Sequence, residues 1–209
     1  QMDQPLVLVV NSGNANAGTG IQGEKDARHI CATLGQLMQV PATQVLPFST
    51  GVIGEPFPTD KINLNVQELV DKLRDDTNKL VWLKSASAIM TTDTKPKLAY
   101  EEIIIGNKII KIGGIAKGSG MIAPNLATML SFIFTDADIQ SNVLQSLLKR
   151  AVANSFNAIT VDNDQSTNDM VAIFATKKIK IGQNRSLADP IIQKFEIALK
   201  KICLNLAQQ

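Results

Sequence analysis

Short apolar runs of strand length alternate along this chain with longer stretches whose apolar residues recur at helical spacing, without a regular strand–helix–strand period. That alternation restricts the chain to an α/β architecture, with a mixed sheet rather than a doubly wound parallel one. Strands are expected at 6–10 after Pro5, at 45–48, and at 98–105 and 108–115 around the two-residue hairpin signal Gly106-Asn107. Further strand-like runs are Met129 with Leu130, Phe132 and Phe134, then 158–161 and 170–176. Helices are expected at 24–39, stopped by Pro41, and after a cap at Thr59 or Asp60 that leads Ile62, Val66, Leu69, Val70 and Leu73. Trp82, Ala86, Ile89 and Met90 mark another helix, and Val143, Leu144, Leu147, Leu148, Ala151 and Val152 a fourth. The last helix takes Asp189 as cap and Pro190 at its first position, with Ile191, Phe195, Leu199, Ile202 and Leu206 on one face. Nothing follows that helix to cover it, which suggests association.

Composition removes several functional classes. The 209 residues fit one domain, or one and a half, with ample apolar content for a core. A net charge of +2 with mixed signs, one Trp and one Tyr offer neither a basic stripe nor stacking platforms, so no nucleic acid partner is expected. The apolar runs are too short for a membrane span, no signal peptide precedes the first strand, and the thiols read as reduced, which together suggest cytoplasm. Cys31 and Cys203 are far apart in helical stripes and read as small buried thiols. With so few His and Cys, a zinc site is not expected, and no metal or organic cofactor is implied.

The chain holds one histidine, His29, beside a helical stripe and away from any serine or cysteine motif. It reads as an ordinary helix-surface or boundary residue, so catalysis through Ser-His-Asp or Cys-His is disfavoured. A Ser or Thr nucleophile activated without imidazole remains. The run Lys117-Gly118-Ser119-Gly120-Met121-Ile122-Ala123-Pro124-Asn125-Leu126-Ala127-Thr128 ends a glycine-rich loop against a threonine, and the apolar strand starts at once. That layout suits a backbone that cuts itself between Ala127 and Thr128 and frees a threonine whose own α-amine serves as base. Such an amine titrates near ~7.7–8.0, so near neutral pH a useful fraction can accept the Oγ proton. Gly113–Gly120 lacks the order of a phosphate-binding Gly-x-x-x-x-Gly-Lys-Ser/Thr loop. Asp162, Asp164 and Ser166 start like a calcium loop, but its glycine and its final acid are missing.

Polar loops of small residues, hydroxyls and glycines stand at the ends of the apolar strands: 11–17, 49–54, 90–94 and 113–120. With 157–169, which includes Thr160-Val161-Asp162 and Ser166-Thr167-Asn168-Asp169, they resemble the ornithine acetyltransferase family, the bifunctional glutamate N-acetyltransferases of arginine biosynthesis. The resemblance runs from end to end and implies a layered sandwich, with mixed sheets inside and helices outside. It implies that Thr128 is the self-cleavage residue and then the acetyl-accepting nucleophile. It implies an oxyanion hole from the Thr50 side chain and the Gly51 backbone N–H, with substrate contacts at Thr91 and Lys117. The substrates it implies are N-acetylornithine and glutamate.

The same resemblance implies that 1–209 is a single α/β domain of a longer protein, with 1–127 in the α-chain and 128–209 opening the β-chain. Those chains would form a heterodimer and associate as a heterotetramer. Relatives in this family are nearly twice as long, and their C-terminal part carries further substrate contacts. Gly18 stands where many relatives have cysteine. Two other functions stay open at this point: a self-processing amidase or aminopeptidase that passes the acyl group to water, and an unprocessed, inactive fragment.

Overall fold

A computed structural model describes residues 4–74, 80–120, 129–160, 169–182 and 185–209. It is an α/β structure in two compact units, Asp3–Lys84 and, for the rest of the described chain, Ser85–Gln209.

The first unit is built on a parallel strand pair. β1 (Val7–Asn14) runs beside β2 (Val45–Val52), and helix α1 (Gly20–Met38) makes the crossover that parallel pairing requires. The core lies between α1, α2 (Thr59–Arg74) and these strands, with Ile30, Leu34, Val45, Val66 and Val70 at its centre. Helix α1 ends where Gln39 takes a left-handed φ of 56°, just before Pro41. On α2 the helical stripe is only half used: Val66 and Val70 are buried, whereas Leu69 and Leu73 are exposed. His29 lies exposed on α1, as its place beside the stripe suggests.

Both strands run further than their apolar residues indicate. The polar stretches 11–14 and 49–52 were expected as loops, yet they continue the ladder, with Asn11 opposite Ser49, Ser12 opposite Thr50 and Gly13 opposite Gly51. Parallel pairing satisfies backbone groups whatever the side chain, so small polar residues extend a strand once its partner is in place.

The second unit begins within α3 (Val81–Ala88) and centres on a four-stranded mixed sheet in the order β3-β4-β5-β6. β3 (Lys97–Ile105) and β4 (Lys108–Lys117) form the expected hairpin, turning at Gly106, whose φ is +63°. β5 (Leu130–Ala137) pairs antiparallel with β4, from Ile112 opposite Thr135 to Lys117 opposite Leu130. β6 (Met170–Ile179) then runs parallel to β5. Residues 156–158 form a 3-10 turn, so the strand expected from 158 does not start there; Val161 lies outside the described residues.

Helices α4 (Ser141–Ala153) and α5 (Pro190–Gln208) pack against each other, with α5 lying on β3 and β4. Asp189 caps α5 by accepting the Ile191 N–H at 2.8 Å, with Pro190 in the first turn as the sequence indicates. Phe195, Leu199, Ile202, Cys203 and Leu206 of α5 are buried with Ile110, Ile112 and Ile133 of the sheet. The final helix is therefore covered by its own sheet, contrary to the expectation from sequence. Its apolar face is satisfied by strands nearly a hundred residues upstream, a pairing that local sequence does not reveal.

Residues 113–115 were expected both in a strand and in a glycine-rich loop, and β4 takes them as strand and runs on through 116 and 117. Gly114 explains why glycine belongs there: a Cβ would come within 3.0 Å of Leu206 and 3.2 Å of Ile133. The glycine lets α5 lie close to the sheet. No helix among the described residues is long and apolar enough to cross a membrane.

Candidate functional site

The end of β4 carries a buried cluster of charge and hydroxyls. Lys117 points away from the helix-covered face, since it shares its side of the sheet with Ile115, Phe132 and Leu130 through the β4–β5 register. It is only 2% exposed, and its Nζ donates to Thr91 Oγ1 at 2.8 Å. Burial pulls the Lys117 ammonium below its ordinary range. The Asp93 charge counteracts this, Lys97 reinforces it, and Asp169 again opposes it.

Asp93 stands at the centre of the turn after α3. Its Oδ1 accepts the Gly118 N–H at 2.7 Å and a Lys97 Nζ proton, and its Oδ2 accepts the Thr91 N–H at 3.3 Å. Burial alone would raise its pKa. The bonds from Lys97, Gly118 and Thr91, with the Lys97 charge, more than offset this and hold the carboxyl below its usual range. Thr92 Oγ1 and Ser119 Oγ lie 2.7 Å apart and tie the same two segments together.

Asp169, at the head of β6, accepts the Met129 N–H through Oδ1, and the Met170 N–H donates to the Met129 carbonyl at 2.9 Å. Met129 is the residue that follows Thr128, so both faces of its backbone are fixed by the start of β6. Ala127 and Thr128 themselves lie outside the described residues.

Thr50 and Gly51 lie in the first unit, at the C-terminal end of β2. Thr50 is buried. Gly51 has a φ of +128°, and a Cβ there would stand 2.3 Å from the Gly13 carbonyl carbon. Only glycine allows the two backbones this approach. Nearby, Ser49 Oγ accepts the Asn16 N–H at 2.8 Å, and Asn16 Nδ2 donates to the Gly23 carbonyl at 2.7 Å, which holds the β1–α1 connection against the end of β2.

Of the residues singled out from sequence, the structure brings Thr91 and Lys117 into direct contact and places Thr50 and Gly51 side by side at one strand end. Asp93, Lys97 and Asp169 carried no role in the sequence reading. The i,i+4 spacing of Asp93 and Lys97 was the available signal, but surface pairs have the same spacing, and only burial distinguishes this one. Among the described residues no group of His, Cys, Asp or Glu is placed to hold a metal ion.

A family model described as the ArgJ family matches residues 2–209. The chain belongs to the ArgJ family. It is 46% identical over 207 residues to the "Arginine biosynthesis bifunctional protein ArgJ" of Methylococcus capsulatus, covering 98% of this chain and 49% of that protein. The protein of the same name from Neisseria meningitidis serogroup A is likewise 46% identical, over 99% of this chain and 49% of its own length. The chain thus spans about half the length of the curated ArgJ relatives it matches. Among solved structures, an arginine biosynthesis bifunctional ArgJ protein from Bacillus halodurans is similar at 36% identity, with a TM-score of 0.48 over 56% of this chain and 60% of that one.

Proposed function

We propose that this chain carries the self-cleaving and acetyl-accepting part of a glutamate N-acetyltransferase that takes its acetyl group from N-acetylornithine, in arginine biosynthesis. Hydrolysis of the Ala127–Thr128 peptide bond leaves a carboxylate on Ala127 and a free α-amine on Thr128. Thr128 Oγ then attacks the acetyl carbonyl of N-acetylornithine while its proton passes to that amine. The tetrahedral oxyanion is met by the Thr50 hydroxyl and the Gly51 N–H. It collapses as the C–N bond breaks, ornithine leaves as the protonated amine, and the acetyl ester stays on Thr128. Glutamate's amine attacks that ester and carries the acetyl group away, which restores the threonine hydroxyl.

Lys117 meets a substrate carboxylate with its ammonium, and Thr91 adds a hydroxyl beside it. Each oxyanion donor supplies ~3 kcal/mol of transition-state stabilisation in such reactions. The cleaved chains act as an α/β heterodimer in the cytoplasm, with heterodimers pairing into a heterotetramer. The chemistry needs no metal or organic cofactor.

The observation that carries this reading is the buried Lys117–Thr91 contact at 2.8 Å, in a chain that matches the ArgJ family over residues 2–209. Replacing Thr128 with alanine in the protein as its gene encodes it tests the reading. Intact mass should show one unbroken polypeptide without acetyl transfer, whereas the wild type shows two chains. Cleavage at that bond in the alanine variant would remove the mechanism. Turnover of N-acetylornithine by the wild type without any need for glutamate would make it a hydrolase instead.

A further inference from the structure

Two backbone segments present the Lys117–Thr91 contact, and both are fastened to one carboxylate. The Gly118 N–H belongs to the Lys117–Gly118 peptide bond, so its 2.7 Å bond to Asp93 Oδ1 fixes the backbone from which the Lys117 side chain departs. The Thr91 N–H on Asp93 Oδ2 fixes the backbone beneath the hydroxyl that Lys117 Nζ meets. Asp93 is itself buried, and its ion-pair partner is Lys97, which sits on β3 opposite Ala116, next to Lys117 in sequence. Water competes little for such a pair, and removing one partner leaves an uncompensated buried charge.

We infer that Asp93 is a positioning residue for substrate capture. It clamps the Thr91 turn to the end of β4 and keeps Lys117 cationic towards a substrate carboxylate, while Lys97 serves as its counter-ion. The inference rests on the substrate-contact reading of Thr91 and Lys117 given above. Among the described residues, Asp93 on the turn and Asp169 at the head of β6 favour the Lys117 ammonium, and Lys97 on β3 disfavours it. The two substitutions that break the Asp93–Lys97 pair therefore act on Lys117 in opposite directions. Asp93→Asn removes an attracting charge and leaves Lys97 repelling. Lys97→Met removes the repulsion and leaves Asp93 attracting.

Competitive labelling of amines with trace acetic anhydride across a pH series, read at the Lys117 peptide by mass spectrometry, follows this directly in the gene-encoded protein. The half-reaction pH of Lys117 should fall in Asp93→Asn and rise in Lys97→Met. In the same preparations Asp93→Asn should raise KM for the anionic substrate by about tenfold, the scale of losing a charge-assisted contact, with a smaller change in kcat. A purely structural role would loosen both variants without opposite shifts. If Lys117 titrates as in the wild type in both variants, or shifts the same way in both, the inference is overturned. If Asp93→Asn does not fold, Lys97→Met decides alone, since a rise supports the inference and its absence removes it. A Lys117→Gln variant with unchanged KM would instead end the substrate-contact reading, while opposite Lys117 shifts would still establish Asp93 as the residue that sets its charge.

Discussion

Gly51 shows how tightly one position can be fixed by geometry. Any Cβ there meets the Gly13 backbone at 2.3 Å at a φ of +128°, and an obstacle made of backbone cannot swing aside as a side chain could. Gly51→Ala should destabilise the first unit by ~1–3 kcal/mol, the usual cost of forced backbone strain, visible as a lower urea midpoint. Asp93 makes a different residue-scale prediction. Its pKa is lowered in the folded state despite burial that raises it, because the bonds from Lys97, Gly118 and Thr91 outweigh burial. A carboxyl depressed by folding stabilises fully above its unfolded value near ~3.9 and loses that contribution as pH falls through the lower folded value. The stability difference between wild type and Asp93→Asn should thus stay level from near neutral pH down to about 5, then narrow as acid is added below ~4. Denaturant titrations at several pH values check this; a difference that grows in acid would contradict it. Thr50, Gly51, Thr91 and Lys117 were singled out only through the family resemblance, and Asp93 was not singled out at all. Its distinction is burial with partners drawn from Lys97 on β3 and from Gly118 just past β4, and neither is visible in Thr91-Thr92-Asp93-Thr94.

At the scale of elements, signals that act locally were readable and signals that act across the sheet were not. The Asp189–Pro190 start of α5 and the Gly106 turn depend on neighbours in sequence, and both appear where the pattern puts them. Strand ends depend on a partner strand, so β1, β2 and β4 each ran past the point where their apolar residues stop. The same limit applied to α2, whose stripe was wider than the surface α1 offers, leaving Leu69 and Leu73 outside. In β4, Gly114 read as a loop residue as well as a strand residue because sequence does not show the helix that lies on it. Gly114→Val should therefore act as overpacking rather than as loop stiffening. With Leu206 and Ile133 within 3.0 and 3.2 Å of a new Cβ, it should cost ~1–3 kcal/mol. A lower thermal midpoint for the variant would agree, while a raised one would mean that α5 has room to move outward.

For the whole molecule, the position of the proposed break matters more than its chemistry. The boundary between the two units lies near Lys84 and Ser85, whereas the bond before Thr128 falls inside the second unit, between neighbouring strands of one sheet. β3 and β4 precede the break, while β5, β6, α4 and α5 follow it, and all contribute to a single core. The Ile112–Thr135 to Lys117–Leu130 ladder would then be a seam between separate polypeptides. A scission in that place turns an intramolecular loop closure into an encounter between two molecules, with the translational entropy that entails. Renaturation after denaturant should thus be second order for the cut protein, faster at higher concentration, and first order for the uncut Thr128→Ala form. The enzyme would be assembled once, as a precursor, and dilution after unfolding would be a trap from which only that precursor returns unaided.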